Sequence, residues 1–432
     1  MKYSIYLAGM ILATLMPDPL VAASGIGDPA NEFWVDGPLD VKLGPSPSFP
    51  DAAVDHRGRS IFVWDEATFS PSIQAHNIVM RVFDRNGQSL VGPVKINTYD
   101  DNSQLNPRVA VSADGSFLVI WQSFELPEGQ AANRIVVRSQ AFDSDAQLLG
   151  SEQIVSSLNT LKAVDVSADV AALTGGGYVA VWQSGQSPDT THSTSIQARR
   201  IGSNGVPLLN QFQVNNTAST TPVTYSTVTQ LQDGGFFVAW TFPEIRGRRF
   251  AADGTPVAAD FQLNTLTAGN EAELDLATHQ DGRVMLVWRD SGEPTGEGNE
   301  IRGRLFSATA VAQGDDFRIN SSTAGSQSWP SVADYAGNGF FVTWQSPVST
   351  GGDSDPDGIE ARVVRGINDF PGPQFQVNTY TTESQFQPSV GGKAGRIATV
   401  WISARNTETS QIVVVGRGWS ICGIFCDGFE GD

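Results

Sequence analysis

A tryptophan returns seven times along the chain at near-even spacing: Trp64, Trp121, Trp182, Trp240, Trp288, Trp344 and Trp401, between 48 and 61 residues apart. Each closes an apolar run, as in Phe117-Leu-Val-Ile-Trp121 or Tyr178-Val-Ala-Val-Trp182. A fixed period of this kind marks stacked supersecondary units that cannot bury their apolar faces alone. It overrides the length prior, by which 432 residues would suggest two or three domains, because repeat arrays grow by adding units to one body.

One unit, read strand by strand, gives four short strands. In the second unit Pro107 to Val111 is strand A, and Ala113-Asp-Gly115 is a tight turn. Phe117 to Gln122 is strand B, apolar on both faces and so expected between two layers. A polar loop follows, then strand C (Ile135 to Phe142) and strand D (Glu152 to Val155). The order recurs. Strand D reads Val94-Lys-Ile-Asn97, Phe212-Gln-Val-Asn215, Phe261-Gln-Leu-Asn264, Phe317-Arg-Ile-Asn320 and Phe375-Gln-Val-Asn378. Strand C carries an arginine in six units (Arg81, Arg138, Arg199, Arg248, Arg304, Arg362), with Val415 in the seventh. Four antiparallel strands repeated seven times predict an all-β fold, a seven-bladed β-propeller whose blades cover each other's faces and leave little edge. The competing arrangement, an open row of small β-sandwich modules, gives each unit a thin core.

The chain ends fit ring closure. A strand-D-like piece, Leu39-Asp-Val-Lys-Leu43, precedes the first strand A, while the last unit has A, B and C without D. The N-terminal piece is therefore expected to supply the fourth strand of the last blade. Lys2, the apolar run Tyr3 to Met16 and the small residues Val21-Ala22-Ala23 read as a secretory signal cleaved after Ala23. The apolar run is shorter than a spanning helix needs. The expected organisation is a signal peptide (1–23), a lead-in (24–38), the propeller (39–418) and a tail (419–432), in an exported protein, extracellular or periplasmic. The only cysteines, Cys422 and Cys426, lie in that tail; an oxidising compartment would allow a local disulfide, and two thiols are too few for a zinc site.

A net charge of −19 opposes nucleic acid or an anionic membrane surface as partner. In a meander the A–B and C–D turns fall on one face, and the longer B–C and D–A loops on the other. Function collects on long loops held by a rigid scaffold, so the B–C/D–A face is the expected binding face. It is acidic, with Asp65, Glu66, Asp100, Asp101, Glu125 and Glu300 among its loop residues. In Asp353-Ser-Asp355-Pro-Asp357-Gly358, alternating carboxylates before a glycine suit a calcium ion, which takes six to eight oxygens. Val364 stands where an EF-hand needs Glu, so the loop is no EF-hand. Among the loop aromatics, Phe69, Tyr99, Phe124, Trp329 and Tyr380 are the ligand-contact candidates, with Phe242 and Phe386 beside them. The seven periodic tryptophans are expected to pack between blades with the indole N–H on a loop carbonyl, and the strand C arginines to reach a neighbouring blade. The Asn ending strand D is expected to cap the D–A loop. His76 and His192 share the loop face, while His56 and His279 lie near A–B turns. No Gly-x-Ser-x-Gly elbow, His-Glu-x-x-His pair or phosphate loop occurs.

The segments Phe375-Gln-Val-Asn-Thr, Pro388-Ser-Val, Phe340-Phe-Val-Thr-Trp-Gln-Ser346 and Asp357-Gly-Ile-Glu-Ala-Arg362 resemble repeats of large secreted bacterial proteins, some of them RTX-like, calcium-binding adhesins. The resemblance covers residues 39 to 418 and implies a propeller; the Asp/Gly-rich stretch of those repeats is matched at Asp353 to Gly358 alone. The tail, with Asp427-Gly-Phe-Glu430, looks like a C-terminal tail of exported gammaproteobacterial proteins. Two function classes follow. The first is a non-enzymatic binding or adhesion propeller that contacts a glycan or an extracellular protein. The second is an extracellular metal-assisted hydrolase or lyase acting on sugars. The enzyme reading predicts carboxylates or histidines from several blades converging at the mouth of the central channel. The binding reading predicts polar and aromatic loop residues without that convergence.

Overall fold

The computed structural model describes residues 32–36, 47–70, 73–126, 134–156, 163–186, 195–216, 223–267, 269–291, 298–335, 337, 339–351, 357–393, 395–404 and 412–420. These form 28 strands and no helix, so no described helix is long and apolar enough to cross a membrane. The strands build seven four-stranded antiparallel blades around a channel, a seven-bladed β-propeller. The innermost A strands are Pro47–Val54, Gln104–Val111, Ala163–Ala172, Thr224–Gln230, Glu271–Thr278, Ser328–Tyr335 and Gln385–Lys393. Blades two and three are further joined by a parallel bridge, Val164 to Ile135.

Seven hydrophobic clusters hold the ring, each built from neighbouring blades. All seven periodic tryptophans are at most 1% exposed, as expected of a ring wedged between sheets. Their N–H groups depart from expectation. Trp121 and Trp344 donate to the carboxamides of Gln104 (2.9 Å) and Gln327 (3.2 Å), and Trp64 to the Glu66 carboxylate (3.2 Å). For Trp121 and Trp344 a carboxamide at the start of strand A replaces the predicted loop carbonyl, because that start lies directly beside the end of strand B; Trp64 uses Glu66 of its own strand.

The strand C arginines staple blade to blade. Arg199 Nη1 donates to the Val155 carbonyl (2.9 Å), Arg248 to Val214 (2.8 Å) and Arg362 to Ile319 (2.8 Å), each the aliphatic residue just before the Ser or Asn that ends the strand D motif one blade back. The seventh member is Arg417 and not Val415. Arg417 pairs with Thr399, two residues before Trp401, just as Arg362 pairs with Val342, two before Trp344. It donates to the Val377 carbonyl. The second blade also departs from expectation: Arg138 pairs with Trp121 itself, Gln140 opposite Val119 holds the staple position, and Arg138 lies between Glu125 and Glu152. The terminal Asn of strand D works in two directions. Asn378 Oδ1 accepts from Ile359 N (2.8 Å), and its Nδ2 donates to the Tyr380 carbonyl (2.8 Å), so it extends the ladder and caps the D–A loop.

An N-terminal strand closes the last blade, but it is Phe33–Trp34, paired with Gly416 and Val415. Residues 39–43, the predicted closing strand, lie outside the described residues. The reason is legible afterwards: Glu32-Phe-Trp-Val-Asp36 matches Gln374-Phe-Gln-Val-Asn378, with the strand D pattern of an aromatic, a spacer, an aliphatic and a capping amide or acid. Asp36 takes the Asn place, and Arg81 donates to the Val35 carbonyl (2.9 Å) as the other staples do. Gly391 lets the last A strand meet the first, since a Cβ there would sit 2.7 Å from the Ala53 Cα.

Candidate functional site

Each A strand breaks its ladder once, near its start, with a bulge. The residue at each break is left-handed: Phe49, Asn106, Ser167, Tyr225, Glu273, Trp329 and Gln387, with φ between 47 and 56°. Such a backbone costs roughly 1–2 kcal/mol per non-glycine residue, so a ring of seven is a built feature. In four blades the next residue is proline (Pro50, Pro107, Pro330, Pro388), tolerated at a bulge because no ladder bond needs its missing N–H.

All seven residues line one cavity of about 330 Å³ at the channel mouth. A strands begin where D–A loops end, so this mouth opens on the predicted loop face. Trp329 and Phe49 meet edge to face at 6.2 Å, and Tyr225 is 37% exposed. Polar side chains fasten neighbouring rim residues. Glu273 Oε2 accepts from Trp329 N (2.6 Å) and Gln387 Oε1 from Phe49 N (3.2 Å). Asp65 Oδ2 accepts from Asn106 N (3.2 Å). Glu273 also pairs with Arg289 at 3.0 Å.

Two residues deeper lies a second ring: Asp51, Arg108, Asp169, Thr227, Asp275, Ser331 and Ser389. An A strand is an edge strand, and its N–H groups face the channel. The neighbouring blade supplies acceptors. Asp51 Oδ2 takes Val109 N (2.9 Å), Asp169 Oδ2 takes Val228 N (2.8 Å) and Asp275 Oδ2 takes Val332 N (2.8 Å). Ser389 Oγ donates to Asp51 Oδ1 (2.6 Å) and closes the circle from last blade to first. Burial pushes the Asp169 carboxyl above its ordinary range. Burial, then the charges of Asp169 and Asp51, push Asp275 up to about 7.

Of the sequence candidates, Trp329 alone lines this cavity. It sits in a strand and not in a loop. Phe69 lies in strand Ser60–Ser70, because strands B and C of the first blade run on together down to the Ser70–Ile73 pair. Phe124 likewise belongs to strand Phe117–Glu125 and is half-buried. Tyr99 packs under Arg138, 4.5 Å from guanidinium to ring centre. Tyr380 is half-buried and its N–H donates to Glu32 (2.9 Å). Two expected loop charges are internal. Asp65 is fully buried and accepts from Ser48 Oγ (2.6 Å) and pairs with His76 Nδ1 (2.8 Å). Glu125 is 3% exposed and tied to Arg134 and Arg138.

The calcium candidates Asp353 and Asp355 lie outside the described residues, as does His192. Asp357 is described, with its carboxyl pushed up by burial. Among the described residues no group of three His, Cys, Asp or Glu side chains is placed to hold a metal. Sequence reasoning missed the rest of the rim. Its one signal was the recurring start of strand A, as in Asn106-Pro-Arg-Val-Ala, Trp329-Pro-Ser-Val-Ala and Gln387-Pro-Ser-Val-Gly.

No protein family matches the chain by sequence, and no curated protein does. Solved structures resemble it in chain course. A protein of unknown function from Dyadobacter fermentans is 11% identical, with a TM-score of 0.48 over 87% of this chain and 94% of that one. The NanB sialidase of Streptococcus pneumoniae is 10% identical, with a TM-score of 0.49 over 90% and 70%. A GH93 α-L-arabinofuranosidase of Fusarium graminearum is 11% identical, with a TM-score of 0.48 over 92% and 98%.

Proposed function

We propose that the chain is an exported, non-enzymatic propeller that binds a glycan at the channel mouth of its B–C/D–A face. One observation carries the reading: Trp329, Phe49 and Tyr225, from three blades, enter one cavity whose other rim groups are mostly polar. Aromatic faces take the C–H side of a sugar ring, and the Asn106 and Gln387 amides suit its hydroxyls. The carboxylates converge as well, but they are already engaged. Those of the deeper ring accept strand N–H groups, and Glu273 is held by Arg289 and the Trp329 amide. Glycoside hydrolysis needs one carboxyl to give a proton and a second to attack or activate water. Groups fixed to the scaffold favour holding a ligand over turning it over.

The hydrolase or lyase reading draws on Asp275, whose carboxyl titrates near neutrality beside Asp169. One experiment separates the two. A glycan array is read with wild type and with Trp329→Ala, and each bound glycan is then incubated with the protein and its products resolved. The binding reading expects array signals that fall at least tenfold in Trp329→Ala and intact glycans after incubation. Cleavage that is lost in Asp275→Asn would establish the enzyme. Array signals indifferent to Trp329→Ala would remove the mouth as the seat of binding.

A further inference from the structure

The deeper ring has one member that cannot do what its neighbours do. At six of its seven places the side chain is an Asp, Ser or Thr, and at the second blade it is Arg108. A guanidinium has five donors and no acceptor, so it cannot receive a strand N–H from the next blade. Val170 N is taken instead by its own neighbour, Asp169 Oδ1, at 2.8 Å, as Leu276 N is taken by Asp275 Oδ1 in the blade after Thr227. Arg108 thus gives up stitching, and the scaffold makes good the loss locally.

The guanidinium is also little used. Nη1 donates to the Pro107 carbonyl (2.9 Å), a contact any rotamer beside its own backbone would find. Arg108 favours the charged form of Asp169 from a distance, yet forms no ion pair with it among the described residues. Its side chain lines the same 330 Å³ cavity as Trp329 and Tyr225. The ring carboxylates blunt their own repulsion of an incoming anion. Asp51 receives Val109 N and Ser389 Oγ, and Asp275 receives Val332 N and Ser331 Oγ. Arg108 thus brings to the cavity lining a guanidinium with donors to spare, in the planar arrangement that matches a carboxylate.

We propose that the glycan of this mouth carries a carboxylate, as in a uronic-acid residue, and that Arg108 selects it. The inference rests on the glycan-binding reading and adds the class of sugar. Binding is measured by calorimetry for trigalacturonate and for its methyl ester, which removes the charge and keeps the ring. Wild type is expected to bind the acid at least tenfold more tightly than the ester. Arg108→Gln is expected to erase that preference by weakening acid binding to the level of the ester; Arg108→Lys, which keeps the charge and loses the fork, should fall between. Melting curves of both variants are expected to match wild type, since Arg108 bonds only its own neighbour's carbonyl among the described residues.

Equal or tighter binding of the ester overturns the proposal while the glycan reading stands. So does a preference that survives in Arg108→Gln. A glycan array on which neutral or sulfated sugars bind and carboxylated ones do not also overturns it. An array without any signal sinks both the proposal and the glycan reading.

Discussion

The channel ring makes the stability of the fold depend on pH in a direction opposite to that of an ordinary carboxylate. Asp275 titrates near 7 in the folded protein, against about 3.8 for the free side chain. A raised acid binds its proton more tightly when folded. Its contribution is complete below pH ~4 and is lost as pH rises towards 7. Between pH 5 and 8 the full effect is about 2 units at about 1.4 kcal/mol each, so ~3 kcal/mol. The side chain lines a channel and is only part-buried. Solvent screening and coupling to Asp169 bring the expected effect to about 1–2 kcal/mol. The test is Asp275→Asn, which keeps the shape and removes the titration. An amide cannot accept Val332 N on one atom and Leu276 N on the other, as the carboxylate does at 2.8 Å each. The variant therefore starts with a constant loss of about 1–3 kcal/mol for one unsatisfied N–H. Urea denaturation of both proteins at pH 5 and pH 8 cancels every other titrating group in the double difference. The deficit of Asp275→Asn should be about 1–2 kcal/mol smaller at pH 8 than at pH 5. A deficit that is equal at both pH values, or larger at pH 8, refutes the assignment of a raised acid to this ring.

Ring closure gives a second prediction. Glu32→Ala takes the acceptor from Thr379 N and Tyr380 N, so the unfolding free energy should fall by about 1–3 kcal/mol; an unchanged urea midpoint would mean that Glu32-Phe-Trp-Val-Asp36 does not lock the last blade. The acidic loop gives a third. If Asp353, Asp355 and Asp357 hold calcium, calorimetric titration of wild type gives a binding heat that Asp355→Ala lacks, and identical traces remove the site.

The fold was legible because one large residue fixes the phase of every unit. A tryptophan at the end of strand B must be buried, and its spacing counts the blades before any other strand is placed. Features tied to that phase by chain distance are legible, including the Asn cap and five of the arginine staples. Those that required counting across an irregular stretch slipped, as Arg417 did when the register placed it two residues beyond Val415. The closing strand slipped for a related reason: Phe33-Trp-Val-Asp36 carries the strand D pattern, but a nearer apolar stretch masked it. The mouth was far less legible. Its rim residues are Phe, Asn, Ser, Tyr, Glu, Trp and Gln, which share a backbone conformation and no chemistry. A left-handed bulge leaves no compositional trace in single units; it shows only in the alignment of all seven A strands.

That alignment also tells where to look within the site. In the deeper ring, stitching demands an acceptor in each blade, and six of the seven places carry one. Trp329 stands outside the strand B period, and Arg108 stands among acceptors where it can accept nothing. Both departures have a physical cost. The left-handed backbone is shared by all seven rim residues, so what sets the first apart is its large aromatic surface at the channel mouth; the second is a charge among backbone N–H groups that it cannot satisfy. Neither cost is offset by a contact that the scaffold needs, since the other blades hold the same geometry with smaller groups. Both side chains enter the same cavity. A ligand that stacks on one and pairs with the other accounts for the two exceptions together, and that is why the sugar class and the ring arginine are best tested as one question.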